Sequence, residues 1–555
     1  TAADSALTEI NTLLIQASAI ASQSVSNLTS GAEQEAEAEV VAGIRQQLQA
    51  VGNRQFDGRY IFAGRDTTSR PFVDALGATA YVGDTGELMV RPDDGLTAPI
   101  SMPGSLLFGA LSAPITSDVD LTPTLTEDVR LEDITGAGGQ ILRSGRLVFN
   151  EIGGAGAFTV DLSLADTIGA GIDAINAAAK AAGAEVTASL SDTGLVVRRT
   201  PSGGPGGTVR RSLAVGPITE LTLVPRVTRL TPVAELGRGA GIDLESGLII
   251  TNGVNTATVD LSTAKTVQDV INAVNNADVY VLARINEAGT GIDVLNQVSG
   301  ASLSIGENGG TTATDLGIRT FDSSTLLTQL NFGDGVTTVA GTGKADLRVV
   351  AKDAKTVDVD IDGAVTVGDV IDRINAAATA AGVAIKASLA TTGNGIRIED
   401  STGGTGNLAV TLVNLSEAPI DLGLQKTVAG TGTELIGDDV NLRRAEGVLG
   451  ALFDLETALR RNDAQGITAA GGRLDTLRGE VTRMHGIIGA RSQTMATKRI
   501  QMEDAAATTQ VFLSQVQDLD YAEAATRLQT AMTQLQANLQ AGSSVLNLSL
   551  LDFLR

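Results

Sequence analysis

The sequence predicts an elongated multidomain protein. It is mainly α at both termini, where a long antiparallel coiled-coil-like helical bundle is expected, with inserted α+β, β-rich repeat domains between. Three observations predict this. Apolar residues follow a three-then-four spacing near both ends. The middle, from about 65 to 430, is rich in Val, Ile, Thr, Gly and Asp in short alternating runs. Within that middle one pattern recurs at intervals of 99 and 100 residues.

The first stripe is Leu7, Ile10, Leu14, Ala17, Ala21, Ser24 and Leu28, and Ser30-Gly31 breaks it. A second helix carries Val41, Ile44, Leu48 and Val51 and stops at Gly52-Asn53 and Gly58. At the other end Val448, Leu452, Leu455 and Leu459 form a short stripe, and the three glycines between Asn462 and Gly472 read as a break. Leu474, Leu477, Val481, Met484, Ile488, Met495, Met502, Phe512, Val516 and Leu519 then continue a heptad. It is imperfect, because Arg491, Lys498, Ala505 and Thr509 share its register. Asp520-Tyr521-Ala522-Glu523 reads as a capping box that starts a new helix, with Ala525, Leu528, Met532, Leu535, Leu539, Gly542 and Leu546 as its stripe. The chain closes on an apolar run, Leu546 to Leu554. A heptad stripe needs a partner. The N-terminal helices are matched by the segments near 448 and 474, so the last stripe either folds back into the bundle or pairs with a segment preceding Thr1 or with other subunits.

The recurring pattern starts at Thr167, Thr266 and Thr366. Six positions before each Thr stands an aspartate, Asp161, Asp260 or Asp360, as at the end of a strand. Each Thr suits a helix N-cap, with Asp269 and Asp369 at the third helical position. The pairs Ile172/Ile175, Ile271/Val274 and Ile371/Ile374 give each helix one apolar face, and Asn176, Asn275 and Asn375 follow. Strands are expected around 184–199, 279–295 and 383–398. The chain therefore divides into a discontinuous helical bundle (1–58 with 440–555), a β-rich connection (59–125) and three repeat units (126–225, 226–320 and 321–430).

Composition narrows the chemistry. A net charge of -24 disfavours nucleic acid and anionic membranes, which need a basic face. No cysteine is present, which removes disulfides, thiolate metal sites and cysteine nucleophiles, and His485 is the single histidine. No run approaches the length of a membrane span, and no signal peptide is visible. Aromatics are 3 % of the chain, too few to line a typical deep ligand pocket.

Candidate sites are few. Asp358, Asp360 and Asp362, followed by Gly363 and with Asp369 at the twelfth position, are spaced like the start of a calcium loop. The triple aspartate is lost in the other repeats, and alternating Asp on a strand also reads as one solvated face. Gly203, Gly204, Gly206 and Gly207 lack the ending of a phosphate cradle and read as a turn, as do Gly136, Gly138, Gly139, Gly153 and Gly154. His485 reads as a bundle-surface residue beside Met484. The carboxylates show no grouping into an acid pair. No catalytic residue and no cofactor is expected.

One segment is more specific. From Asn53 to Phe72 a helix stop, a Gly turn, a short aromatic strand and a loop closing on Pro-Phe follow one another. This resembles the flagellar hook-filament junction proteins, also called hook-associated protein 3, within the bacterial flagellin family. The matching residues are Gly58, Tyr60, Phe62, Gly64, Pro71 and Phe72. Ser514 to Leu528 and the ending Ser549 to Leu554 are similar to the same family, and the three repeats resemble its inserted "IN" motif. The resemblance implies a structural subunit rather than an enzyme. It would be exported without a cleaved signal, extracellular at the hook-filament junction, and inserted in no membrane. Its implied partners are a hook-side junction protein, flagellin, copies of itself and an export chaperone, and its implied subunit-contact helix is the stripe Leu528, Met532, Leu535, Leu539 and Leu546. Members of the family begin with a further N-terminal helix that pairs with the terminal one, and this chain starts inside the following helix. A flagellin-type filament subunit and a filament-cap or adhesin-like surface-binding protein are the alternatives.

Overall fold

The computed structural model describes residues 2–25, 30–93, 96–116, 119–143, 145–149, 158–184, 186–199, 218–339, 341 and 343–547. The chain enters through helices α1 (Ala2–Ser24) and α2 (Gly31–Gly52). It passes through three units that hold α3 (Ile168–Ala181), α4 (Val267–Asn275) and α5 (Val367–Ala381), and returns through α6 (Val448–Arg461) and α7 (Ala464–Asn547).

The outer helices form a four-helix stem in which α1 packs on α7 and α2 on α6. Its core takes in the proximal parts of the stripes read from the sequence, whereas Met502, Phe512 and Val516, expected in the same heptad, are 50–62 % exposed. Leu7, Ile10, Leu14, Ala17 and Ala21 meet Val41, Ile44, Leu48 and Val51, and both meet Val448, Leu452, Leu455, Leu459, Leu474, Val481 and Met484. Each fully buried Leu or Ile contributes about 1.5–3 kcal/mol over leaving it exposed. Ser30 caps α2, accepting from the Glu33 amide while the Glu33 carboxylate accepts from the Ser30 amide at 2.7 Å. Leu28 lies outside the described residues.

Two expectations for the stem are corrected. The break at Asn462 to Gly472 is confined to the turn itself: α6 ends on Asn462 in the left-handed region (φ 53°), and α7 begins at Ala464. Two of the glycines beyond it, Gly466 and Gly471, serve close packing. A Cβ on Gly471 would sit 3.1 Å from the Ala21 methyl, and one on Gly466 3.0 Å from that of Ala458. Nor does α7 restart at Asp520: it runs unbroken for 84 residues, about 126 Å at 1.5 Å per residue. Glu523 instead pairs with Arg527 one turn on, at 2.7 Å. The seam's odd member Arg491 is also explained, since it leaves the stripe to bond Glu87 at 2.7 Å.

Each repeat unit has its own apolar cluster. Unit 1 gathers Leu131, Val160, Ile172, Ile175, Val186 and Leu195. Unit 2 gathers Ile250, Val267, Val274, Val281 and Val294, and takes in Ile115 and Leu121 from the connection. Unit 3 gathers Val349, Val367, Ile374, Ile385 and Ile398, and reaches on to Leu435. All three helices are Thr-capped; Thr266 with Asp269 and Thr366 with Asp369 form capping boxes, whereas Thr167 receives only the Ala170 amide. Asp161, Asp260 and Asp360 each end a strand by accepting the amide two residues on, at 2.8–2.9 Å. Gly138 and Gly139, expected in a turn, lie instead in a helix, Gly136–Arg143. Added Cβ atoms there would meet the Thr222 and Ile134 carbonyl oxygens at 2.2 and 2.3 Å, so only glycine fits this helix against its neighbours.

Units 2 and 3 share a buried polar seam. The Arg319 guanidinium donates to Asn394 Oδ1 at 2.8 Å and to the Ala390 carbonyl at 2.9 Å. The Asp439 carboxylate accepts from Ser304, Thr320 and Asn394 at 2.5, 2.7 and 2.9 Å. Unit 2 is tied to the stem region by the pairing of Val298 with Ala80 and by Gly300 lying against the Phe453 ring. Unit 1 hangs from a neck in which Ile134–Thr135 pairs with Val224–Pro225.

Candidate assembly surface

The segment Asn53 to Phe72 folds into a knot at one end of the stem. Gln55–Phe56 and Arg59–Tyr60 form a hairpin whose two turn residues, Asp57 and Gly58, both have positive φ (52° and 73°), as a two-residue turn of this type requires. The Tyr60 amide donates to the Thr67 carbonyl at 2.9 Å. Gly64 (φ 74°) passes so close to the Asp84 carbonyl oxygen that a Cβ would lie 2.0 Å from it. Pro71 is buried and its carbonyl accepts from the Val82 amide at 2.8 Å.

Phe72 is the centre of the knot. It is fully buried, 5.1 Å from the Tyr81 ring and 4.9 Å from that of Phe108, both edge to face, and Phe108 meets Phe62 at 5.6 Å. Asn53, one residue past α2, clamps the backbone of Phe72 in both directions: Nδ2 donates to its carbonyl at 2.9 Å and Oδ1 accepts from its amide at 3.0 Å. Gly52 and Gly104 press their backbones on the Phe72 ring, where added Cβ atoms would lie 2.7 and 2.8 Å away. Burial pushes the Tyr81 hydroxyl up to about 12, and that hydroxyl donates to the Asp84 carbonyl at 2.7 Å. The motif residues are thus a structural joint. Sequence reasoning missed Tyr81 and Phe108; the available signal was that a chain with only 4 Tyr and 11 Phe spends four of them here.

Beside the knot, α7 leaves the stem. Asp4, in the first turn of α1, accepts a bond from His485 at 2.6 Å, and α1 ends its cover there. A groove of about 470 Å³, lined by Tyr60, Phe62, Ile100, Met102, Ile488 and Met495, opens at this point. From Arg499 to Leu546 every described side chain of α7 is exposed. Leu528, Met532, Leu535 and Leu539 are 58–65 % exposed and Leu546 is 85 % exposed. The stripe does not fold back onto the bundle. The side chains of Leu519 and Asp520, and the ending Ser549 to Leu554, lie outside the described residues.

The acidic candidate is rearranged. Asp358 faces Arg348 across the strand pair and bonds it at 2.5 and 2.8 Å. Asp360 and Asp362 group instead with buried Asp346. The Asp346 carboxylate already accepts from the Val339 and Ile361 amides at 2.7 and 3.0 Å. Asp369 is taken up by the amides of Val365 and Thr366, which hold its carboxyl below the usual range. Gly203, Gly204, Gly206, Gly207, Gly153 and Gly154 lie outside the described residues. Among the described residues no helix is long and apolar enough to cross a membrane.

No protein-family model and no curated protein matches the chain. Among solved structures it is similar to FlgL of Xanthomonas campestris, with 17% identity over 29% of this chain and 55% of that one and a TM-score of 0.19. It thus spans about half of that structure's length. It is also similar to flagellar hook-associated protein 3 from Legionella pneumophila (10% identity, 93% and 91% coverage, TM-score 0.31). A third is the flagellar junction protein FlgL from Legionella pneumophila (10% identity, 90% and 86% coverage, TM-score 0.27). Overlap in shape and identity is slight in all three, and the functional reading rests on the residues themselves.

Proposed function

We propose that the chain is a structural subunit of the bacterial flagellum, of the hook-filament junction type, and that it acts by assembly rather than catalysis. The observation that carries this reading is the distal half of α7. An uncovered apolar stripe of this length on a rigid helix is an assembly surface, because a large exposed apolar patch marks an interaction site. The Asn53–Phe72 joint adds specificity, since its residues resemble the junction proteins at Gly58, Tyr60, Phe62, Gly64, Pro71 and Phe72. In this reading the partners are other axial proteins of the flagellum, a hook-side junction protein and flagellin, together with copies of the chain and an export chaperone. The repeat units project from the stem as acidic decoration.

The test is deletion of the full-length gene. Hooks without filaments, with flagellin lost to the medium, are expected. Filaments that stay attached to hooks would sink the assignment and move it to a minor flagellin or a surface-binding protein.

A further inference from the structure

Each repeat unit ends one of its sheets on a short strand: Val186–Leu190, Val281–Ile285 and Ile385–Leu389. Among the described residues each pairs with a neighbouring strand on one side only. In an antiparallel pair, alternate residues turn their N–H and C=O groups away from the partner strand. At a sheet edge those groups form a template for another strand, which proteins commonly block.

The middle residues of these strands, Ala188, Ala283 and Ala387, have their outward groups taken by one side chain each. Asn176 Nδ2 donates to the Ala188 carbonyl at 3.0 Å while its Oδ1 accepts from the Ala188 amide at 2.7 Å. Asn275 does the same to Ala283 at 3.1 and 2.7 Å, and Asn375 to Ala387 at 3.0 and 2.7 Å. An amide side chain bonding a backbone in both directions imitates the next strand. The loop it spans is not fixed: Asn and Ala are 12 residues apart in units 1 and 3 but 8 in unit 2, where the helix is shorter. The contact survives a change in the elements around it, so the contact itself is what the three units share.

We propose that Asn176, Asn275 and Asn375 are edge guards, which keep the outer strand of each unit from pairing with the same strand of a second copy of this chain. The surface they close is a latent strand-acceptor edge. It is independent of the helical stripe on α7.

The test compares the full chain with its Asn375→Ala variant by sedimentation velocity, with hydrogen exchange of residues 385–389. The variant is expected to keep its far-UV circular dichroism and to associate at concentrations where the parent chain does not, with new protection in that strand. Adding Ala387→Pro removes the N–H that a second strand would need, without removing a ladder bond, and is expected to restore the parent behaviour. A folded variant that associates no more than the parent overturns the proposal. So does association that appears only with loss of secondary structure, or that the proline leaves unchanged.

Discussion

Phe72→Ala tests the joint at the head of the stem. The ring is fully buried, and truncating a buried phenylalanine costs about 3–5 kcal/mol. The structure places the cost in the upper part of that range. Two edge-to-face pairs, at 4.9 and 5.1 Å, go with the ring, each worth about 0.5–1.5 kcal/mol beyond area, part of it already in the first figure. The cavity has stiff walls as well, because Gly52 sits at the end of α2 and Gly104 opens a short helix, so neither can move inward without shifting an element. The Asn53 clamp binds only backbone and survives the change. A loss of about 4–5 kcal/mol is therefore expected, read from urea unfolding followed by helical circular dichroism. Phe56→Ala is the control: Phe56 is 66 % exposed, and its loss is expected to stay within about 0.5 kcal/mol. A Phe72→Ala variant within about 1 kcal/mol of the parent, or a control that loses as much, would refute the joint.

Two further outcomes follow from the same region and from α7. Tyr81 is raised to about 12 by burial, so its stabilising neutral form is fully present below the ordinary value of 10.0 and is lost as pH rises from there through about 12. That is about 2–3 kcal/mol over the window. The melting temperature should fall less between pH 8 and 12 in Tyr81→Phe than in the parent, and equal falls would contradict the burial argument. Leu535→Glu lies on the uncovered stripe at 60 % exposure, so the isolated chain should keep its stability within about 0.5 kcal/mol, and under the proposed junction role filaments should detach from hooks. A destabilised chain, or filaments that remain attached, would count against the assembly face.

The stem was legible because its signal is local: a stripe at 3.6-residue period declares its buried face whatever it packs against. Thr266 and Thr366 were legible for the same reason, since a capping box lies within four residues. Contacts made through space were not. Asn176, Asn275 and Asn375 could be seen to recur, but their partners stand 12, 8 and 12 residues away and the bond is to backbone, which leaves no residue type to read. Asp346 joined the acidic group in place of Asp358 because Arg348 stands directly across the ladder from Asp358, a register the pattern of aspartates does not encode. Glycine misled twice. At Gly138 and Gly139, and again at Gly466 and Gly471, it marks a close approach inside a helix rather than a break.

The neck of unit 1 has a consequence for how such a chain grows. Its incoming and outgoing segments, Ile134–Thr135 and Val224–Pro225, lie side by side as a strand pair. A block of about a hundred residues spliced in at such a neck returns the chain to where it left. The rest of the molecule then feels neither a change of direction nor a change of length. An insertion there can therefore add mass outside the stem while the stem helices keep their register.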